Sequence, residues 1–454
     1  MRYIDSLNLK SGLKCFILIE PGLGYIIPVL QERFKDSKII ALHAASAPLL
    51  PHVGEGETSA VQTLYSADPA EINKFLEANI PEIDVSLINI IEWRPSLNFY
   101  KEEYVKLLSH VVDFIKRADA ENRTTAAFGK RWVKNFLKNL GNVNTTLLYK
   151  QTAIPVIVTG SGPSLEQALP VIKEAQDSCL IIAASSSVMA LSAAGITADI
   201  VIATDGGPWA LRHLYSCYRG TNTNALAVNL SAALPSQVSR TPALLLNDGS
   251  FWQSIILHEL ALPSVLIPQK GTVTATAVEL AMILSEGYIY LAGMDFSVND
   301  IRTHVRPYGF DSMFLGRAGR FAPFYSESFT RSTLIRQGAS MDIYAAWFKS
   351  QLGSWPKRIF SIGKSKVFEE AVPAKQAKNK NTDDFFKTEP VKENPDTFKK
   401  RGTRILIDAI KNPKYAQDLK QELSLFLFPG ENNITEKMFE TAIEKIAFFK
   451  DSYE

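Results

Sequence analysis

The chemistry available to this chain is concentrated in a glycine-serine turn that follows an apolar strand, in carboxylates standing just past other strands, and in one histidine of the loop beyond. From Pro155 to Leu165 the sequence reads PVIVTGSGPSL. Gly160 and Gly162 allow backbone angles and close approaches that a Cβ would block, Pro163 suits the start of a helix, and Ser164 can cap it. The amides from Ser161 to Ser164 and the positive end of the helix dipole would then converge on one spot that favours an anion. The third glycine of the dinucleotide fingerprint and the Gly-Lys-Ser/Thr ending of a P-loop are both missing, so neither an ordinary NAD enzyme nor a P-loop ATPase is indicated. A plain strand-to-helix connection wants the same residues, and other groups must raise the odds of a binding site.

Asp205 closes a strand and precedes Gly206-Gly207. It could hold a ribose hydroxyl, position a sugar, help to ligate Mg²⁺, or simply cap a turn. Asp295 ends another strand and reads either as a nucleotide- or donor-binding carboxylate or as a turn cap. Ser185 and Ser186 could bond a base or ribose, although small residues after a strand also cap the next helix. His304, nine positions beyond Asp295, carries an imidazole suited to accept a proton from a hydroxyl. It could equally contact substrate or serve packing. Tyr308 and Tyr325 could steady a leaving phosphate, against a packing role for either alone. His213 and His258 read as packing or surface residues.

These groups need a scaffold. From about 151 to 295, Ile-, Val- and Leu-rich strands alternate with helices, the pattern of a parallel sheet covered on both faces. The fold class is α/β: a doubly wound, mostly parallel, Rossmann-like sheet with a small α/β amino-terminal unit and a helical carboxy-terminal unit. Ligands of such sheets bind beyond the carboxyl ends of the strands, where the candidate polar residues stand. The expected divisions are 1–130 for the amino-terminal unit and its connecting helices, 131–370 for the core with a lid at about 296–330, 371–404 for a linker, and 405–454 for the terminal helices. The linker assignment rests on the Lys-, Asn-, Asp- and Pro-rich run after Pro373. Gly22-Leu23-Gly24, in the amino-terminal unit, reads as a strand-to-helix turn rather than a second nucleotide turn.

In its 454 residues, 49 Lys+Arg nearly balance 47 Asp+Glu, so no global field argues for nucleic acid or a membrane surface. Cys15, Cys179 and Cys217 show no metal-ligand spacing and no disulfide framework, which suits a reducing, cytoplasmic setting. The apolar run near the start is ended by Glu20 and Pro21, too early to span a bilayer.

The ordered set GSGPSL, AASSSVMALSAAGITADIVIATDGG, KGTVTATAVELAMILSEGYIYLAGMDFS and Thr303-His304 resembles the motility accessory factor family of bacterial flagellin glycosyltransferases. The similarity covers about 130–340, with Trp132-Val133-Lys134-Asn135 and Asn139 ahead of the turn. The same core is shared with 6-hydroxymethylpterin diphosphokinases, and a more distant likeness runs to bacterial sialyltransferases. The resemblance implies transfer of a nonulosonic acid, such as pseudaminic or legionaminic acid, from its CMP ester to Ser or Thr of flagellin, in the service of flagellar assembly and motility. On it, the turn Gly160-Ser161-Gly162-Pro163-Ser164 binds the nucleotide phosphate or its ribose side. Thr272 and Thr274 match the place where the sialyltransferases offer a hydroxyl to that phosphate. His304 is then the base and Asp205 its catalytic companion. The resemblance fixes no cofactor, and Mg²⁺ is the one candidate. The partners are flagellin and the CMP-activated donor, with no nucleic acid and no membrane insertion. The alternatives are an ATP-dependent pyrophosphotransferase of the pterin diphosphokinase type, in which Asp205 and Asp295 would share Mg²⁺, and a non-catalytic flagellin-binding protein.

Overall fold

The computed structural model describes residues 2–44, 61–80, 87–217, 223–269, 271–338, 340–373, 380–431 and 433–448. The chain divides into two compact units, one of residues 1–129 with 424–430, the other of 130–423 with 431–454. The helix Lys101–Leu140 contributes to both.

In the first unit, β1 (Cys15–Ile19), β2 (Lys38–His43), β3 (Gln62–Tyr65) and β4 (Ile88–Glu92) form an all-parallel sheet in the order β3-β2-β1-β4. The strand period of two sends Cys15, Ile17 and Ile19 to one face, against Ile72 and Leu76 of the helix Pro69–Asn79. Phe16 and Leu18 go to the other, against Ile27 and Leu30 of the helix Ile27–Arg33. Gly22 and Gly24 take positive φ in the turn after β1, as a strand-to-helix connection requires. Glu20 and His43, at the ends of β1 and β2, are buried side by side, Oε2 to Nδ1 3.6 Å.

The second unit holds a ten-stranded sheet: β5 (Thr145–Tyr149), β6 (Val156–Thr159), β7 (Leu180–Ala184), β8 (Ala198–Ala203), β9 (Thr223–Asn229), β10 (Ala243–Asn247), β11 (Ser264–Leu266), β12 (Ile289–Ala292), β13 (Ile359–Ser361) and β14 (Phe386–Pro390). The order is β13-β12-β6-β7-β8-β9-β10-β5-β14, with β11 beside β10. Every pairing is parallel except β14 on β5. Val156, Val158, Ile182 and Ile200 pack in one core with Ala277, Val278 and Ala281 of the helix Val273–Leu284. The strands run outward from β6 in two directions, through β7 to β10 on one side and through β12 and β13 on the other. The crevice between β6 and β12 is therefore the switch point where doubly wound sheets take ligands.

The stretch expected as a linker over 371–404 is built into the sheet across its described part. Phe385 is buried in the core, β14 closes the outer edge of β5, and the helix Pro395–Lys411 follows at once. Lys380 Nζ reaches Asp199 Oδ2 at 2.5 Å and the Cys179 carbonyl at 2.8 Å, so one of its lysines neutralises a buried carboxylate. A polar run with Pro and Lys is what an edge strand carries, and composition alone does not separate the two. Nor do the terminal helices stand apart. Gly402 of Pro395–Lys411 faces Leu140 and Ile256 so closely that an added Cβ would meet Leu140 Cδ1 at 2.4 Å. Glu422 accepts from the Phe251 and Trp252 amides at 2.8 and 2.9 Å, capping the helix Phe251–Glu259. The expected lid is partly helical, with Asp311–Arg317 and Phe324–Gln337 following an irregular 296–310. Among the described residues no helix is long and apolar enough to cross a membrane.

Candidate functional site

At the switch point the glycine turn is stapled to the end of β12. Gly160 N–H donates to the Ala292 carbonyl and Gly162 N–H to the Gly293 carbonyl, both at 2.8 Å. The Ser164 amide donates to Asp295 at 3.1 Å and the Ser164 hydroxyl to the same carboxylate at 2.9 Å. Asp295 thus caps the helix Leu165–Ala175 from across the crevice, with its negative charge on the positive end of the helix dipole. Burial pushes its carboxyl above the usual range while the Ser164 hydrogen bonds pull it back.

This corrects the expectation that the amides from Ser161 to Ser164 all await a phosphate. Pro163 has no N–H, and those of Gly162 and Ser164 are spent inside the protein, which leaves the Ser161 amide as the turn's free donor among the described residues. The glycines are required by packing: a Cβ on Gly160 would sit 2.6 Å from the Gly293 oxygen, and one on Gly162 would sit 2.0 Å from Asp295 Oδ2. Gly293 is at φ +68° and answers in kind, since its Cβ would meet the Gly160 oxygen at 2.5 Å.

Thr272 is the N-cap of Val273–Leu284, its hydroxyl accepting from the Ala275 amide at 3.1 Å. Thr274 lies against the turn, where its Cγ2 would be 3.1 Å from a Cβ on Gly160. Ser185 is buried and Ser186 half-buried in a short 3-10 turn after β7. The neighbouring Ser187 hydroxyl ties that turn to Thr159 at 2.8 Å.

Asp205 is exposed at the end of β8 and accepts from the Gly207 amide at 2.7 Å. Its loop is held from below by Asn135, whose Nδ2 donates to the Gly206 and Ser231 carbonyls at 3.1 and 3.0 Å. Asn139 does the same for Leu230 and Ala232 at 2.8 and 2.9 Å. Those asparagines are scaffold for the loops after β8 and β9. Asp205 and Asp295 follow strands three places apart in the sheet, β8 and β12, which at the usual strand spacing lie about 14 Å from each other. Among the described residues no group of three or more His, Cys, Asp or Glu side chains could hold a metal.

The lid brings His304 to the turn. Val305 N–H donates to the Ser161 carbonyl at 2.9 Å, and Arg302 Nη1 pairs with Glu166 Oε2, on the helix that the turn opens, at 2.7 Å. His304 stacks on Tyr308 with ring centroids 4.2 Å apart, and its Nδ1 lies 2.9 Å from the Thr303 hydroxyl. On the far side of Tyr308 stands His213, with Nε2 3.5 Å from the phenolic oxygen. Burial lowers both imidazoles to about 4, helped at His304 by the charges of Arg331 and His213 and opposed at His213 by Asp205. Burial pushes the Tyr308 phenol up to about 12. Both histidines are therefore neutral at pH 7, with the basicity of each reduced by its surroundings. Tyr308 thus lies against both His304 and His213, and the Asp205 charge acts on His213. His213, read from sequence as packing or surface, enters this cluster; its one signal was a position eight residues beyond Asp205, on the ligand-binding side of the sheet.

The two lowered imidazoles make stability pH-dependent. An unfolded histidine titrates near 6.5, so between about 4 and 6.5 the unfolded chain binds more protons. Their contribution is complete above pH 6.5 and is lost as pH falls towards 4, at about 2 kcal/mol for the pair after solvent screening. Urea denaturation at pH 7 and pH 4.5, compared with a His213→Gln, His304→Phe double variant, should show the variant losing less on acidification. Equal losses would remove these histidines as the cause.

Residues 130–300 match the model of the family described as 6-hydroxymethylpterin diphosphokinase MptE-like. An uncharacterized protein of Treponema pallidum (strain Nichols) is 29% identical over 302 residues, 66% of this chain and 64% of its own length, so the match spans less than two thirds of that relative. The structure of the MAf glycosyltransferase from Magnetospirillum magneticum AMB-1 aligns over 96% of this chain and 73% of its own, with a TM-score of 0.50 and 16% identity. Residues 130–300 are therefore similar in sequence to the MptE-like family, and the chain shares its fold with the MAf glycosyltransferase, as the ordered motifs implied.

Proposed function

We propose that this protein is a glycosyltransferase that moves a nonulosonic acid from its CMP ester to Ser or Thr hydroxyls of flagellin. The observation that carries this reading is the neutral His304 imidazole, stacked on Tyr308 and tied through Val305 to the turn at the switch point. A donor of this kind brings its own leaving group, so the protein needs a proton acceptor for the incoming hydroxyl and a site that orients the two substrates. His304 takes the hydroxyl proton as the oxygen bonds to the anomeric carbon, and the bond from that carbon to the phosphate oxygen breaks to release CMP. The Ser161 amide, Thr274, Ser185 and Ser186 surround the place for the nucleotide. Asp205 orients the sugar or ribose. Asp295 acts indirectly, by holding the turn in shape.

The test is to incubate the protein with purified flagellin and CMP-activated pseudaminic, legionaminic or N-acetylneuraminic acid and to weigh flagellin intact. A gain of whole nonulosonic residues is expected. No gain with any donor, together with diphosphate transfer from ATP to a hydroxymethylpterin, would replace this reading by the pyrophosphotransferase one that the family description favours.

A further inference from the structure

Beside His304 the lid carries an open cleft, bounded by the 301–308 segment and by the helices Asp311–Arg317 and Phe324–Gln337. Three of its walls are arginines. Arg302 is already neutralised by Glu166. Arg331 is half-buried with its guanidinium 4.5 Å from the centre of the Phe314 ring, and Arg306 lies 4.6 Å over Phe324 with Nη2 3.4 Å from the Ser328 hydroxyl. Neither guanidinium has a carboxylate at ion-pair distance among the described residues. Two carboxylates also line the cleft: Asp311 is engaged by the Tyr308 amide at 2.8 Å, and Glu327 is exposed. At the His304 ring itself the charge that acts at pH 7 is the Arg331 guanidinium.

A guanidinium held over an aromatic ring has lost part of its rotamer freedom in advance, and its N–H groups remain to bind a planar or tetrahedral oxyanion. The crevice makes the need plain: Asp295 already occupies the helix end where an anion was expected. We propose that Arg331 and Arg306 form an oxyanion subsite in the lid that binds one carboxylate or phosphate group of the substrate beside His304. That the oxyanion belongs to a CMP-activated acidic sugar rests on the transfer reading; that the cleft takes an oxyanion does not.

The experiment titrates the full chain by calorimetry with CMP, which offers phosphate alone, with N-acetylneuraminate, which offers carboxylate alone, and with the methyl ester of that sugar. The wild type is expected to bind at least one of the two anions. If the carboxylate is recognised, the methyl ester binds at least tenfold more weakly; if the phosphate is, CMP carries the affinity. Arg331→Met, which keeps the contact with Phe314, weakens binding of the recognised anion at least tenfold, Arg331→Lys restores part of it, and melting temperatures stay close to wild type. The subsite is overturned if neither anion binds, or if Arg331→Met and Arg306→Met both keep wild-type affinity. Transfer to flagellin with normal donor KM in those variants would sink the subsite and leave the transfer reading standing; absence of transfer by the wild type with the anion affinities as expected would do the reverse.

Discussion

Gly162→Ala should cost about 3 kcal/mol or more of stability, even though it adds a single methyl group to a surface turn. The new Cβ would meet Asp295 Oδ2 at 2.0 Å and the Gly293 carbonyl oxygen at 2.7 Å. The second contact is with backbone, which no side-chain rotation relieves. Moving Asp295 away would also strip the cap from the Ser164 amide and hydroxyl. Gly271→Ala is the matched control: Gly271 has φ +71° but open space within 4 Å of its would-be Cβ, so only the left-handed backbone penalises it, by about 1 kcal/mol. Chemical denaturation of the two variants should therefore separate them clearly. If Gly162→Ala falls within the error of Gly271→Ala, the turn is looser than its packing implies.

His304→Phe should abolish most transfer, a loss of about a hundred- to ten-thousand-fold in kcat, with the melting temperature and donor KM little changed. Phenylalanine keeps an aromatic ring for Tyr308 to stack against and removes only the ring nitrogens. A histidine present for packing would be replaced successfully, whereas a proton acceptor would not. Transfer by this variant at near wild-type rate would take His304 out of the reaction.

The doubly covered strands were readable because burial on both faces leaves an uninterrupted apolar signature: β6, β7 and β12 begin and end where their Val, Ile, Leu and Ala runs do. β14 was not, because an edge strand needs few apolar residues, and FKTEP looks like solvated chain until its partner TTLLY is known. The turn at Gly160 shows the same divide within the site. Its conformation follows from local residue types, but whether an amide faces a ligand or a carbonyl depends on Gly293 and Asp295, some 131 residues further along, as the Ser164 bond to Asp295 measures. That the His304 segment meets the turn was legible from its place after a strand end. His213 was hidden by a helical context that suggested packing, and its role depends on a tyrosine 95 residues away.

Thr146 and Glu389 are partners 243 residues apart. On a ribosome, β5 emerges first and waits roughly ten to fifty seconds for β14 to be synthesised. Through that interval its outer rim of N–H and C=O groups stays open to any neighbouring nascent strand. A chain truncated before Phe386 never gains that seal, so the price of stopping early is aggregation rather than a shorter working protein.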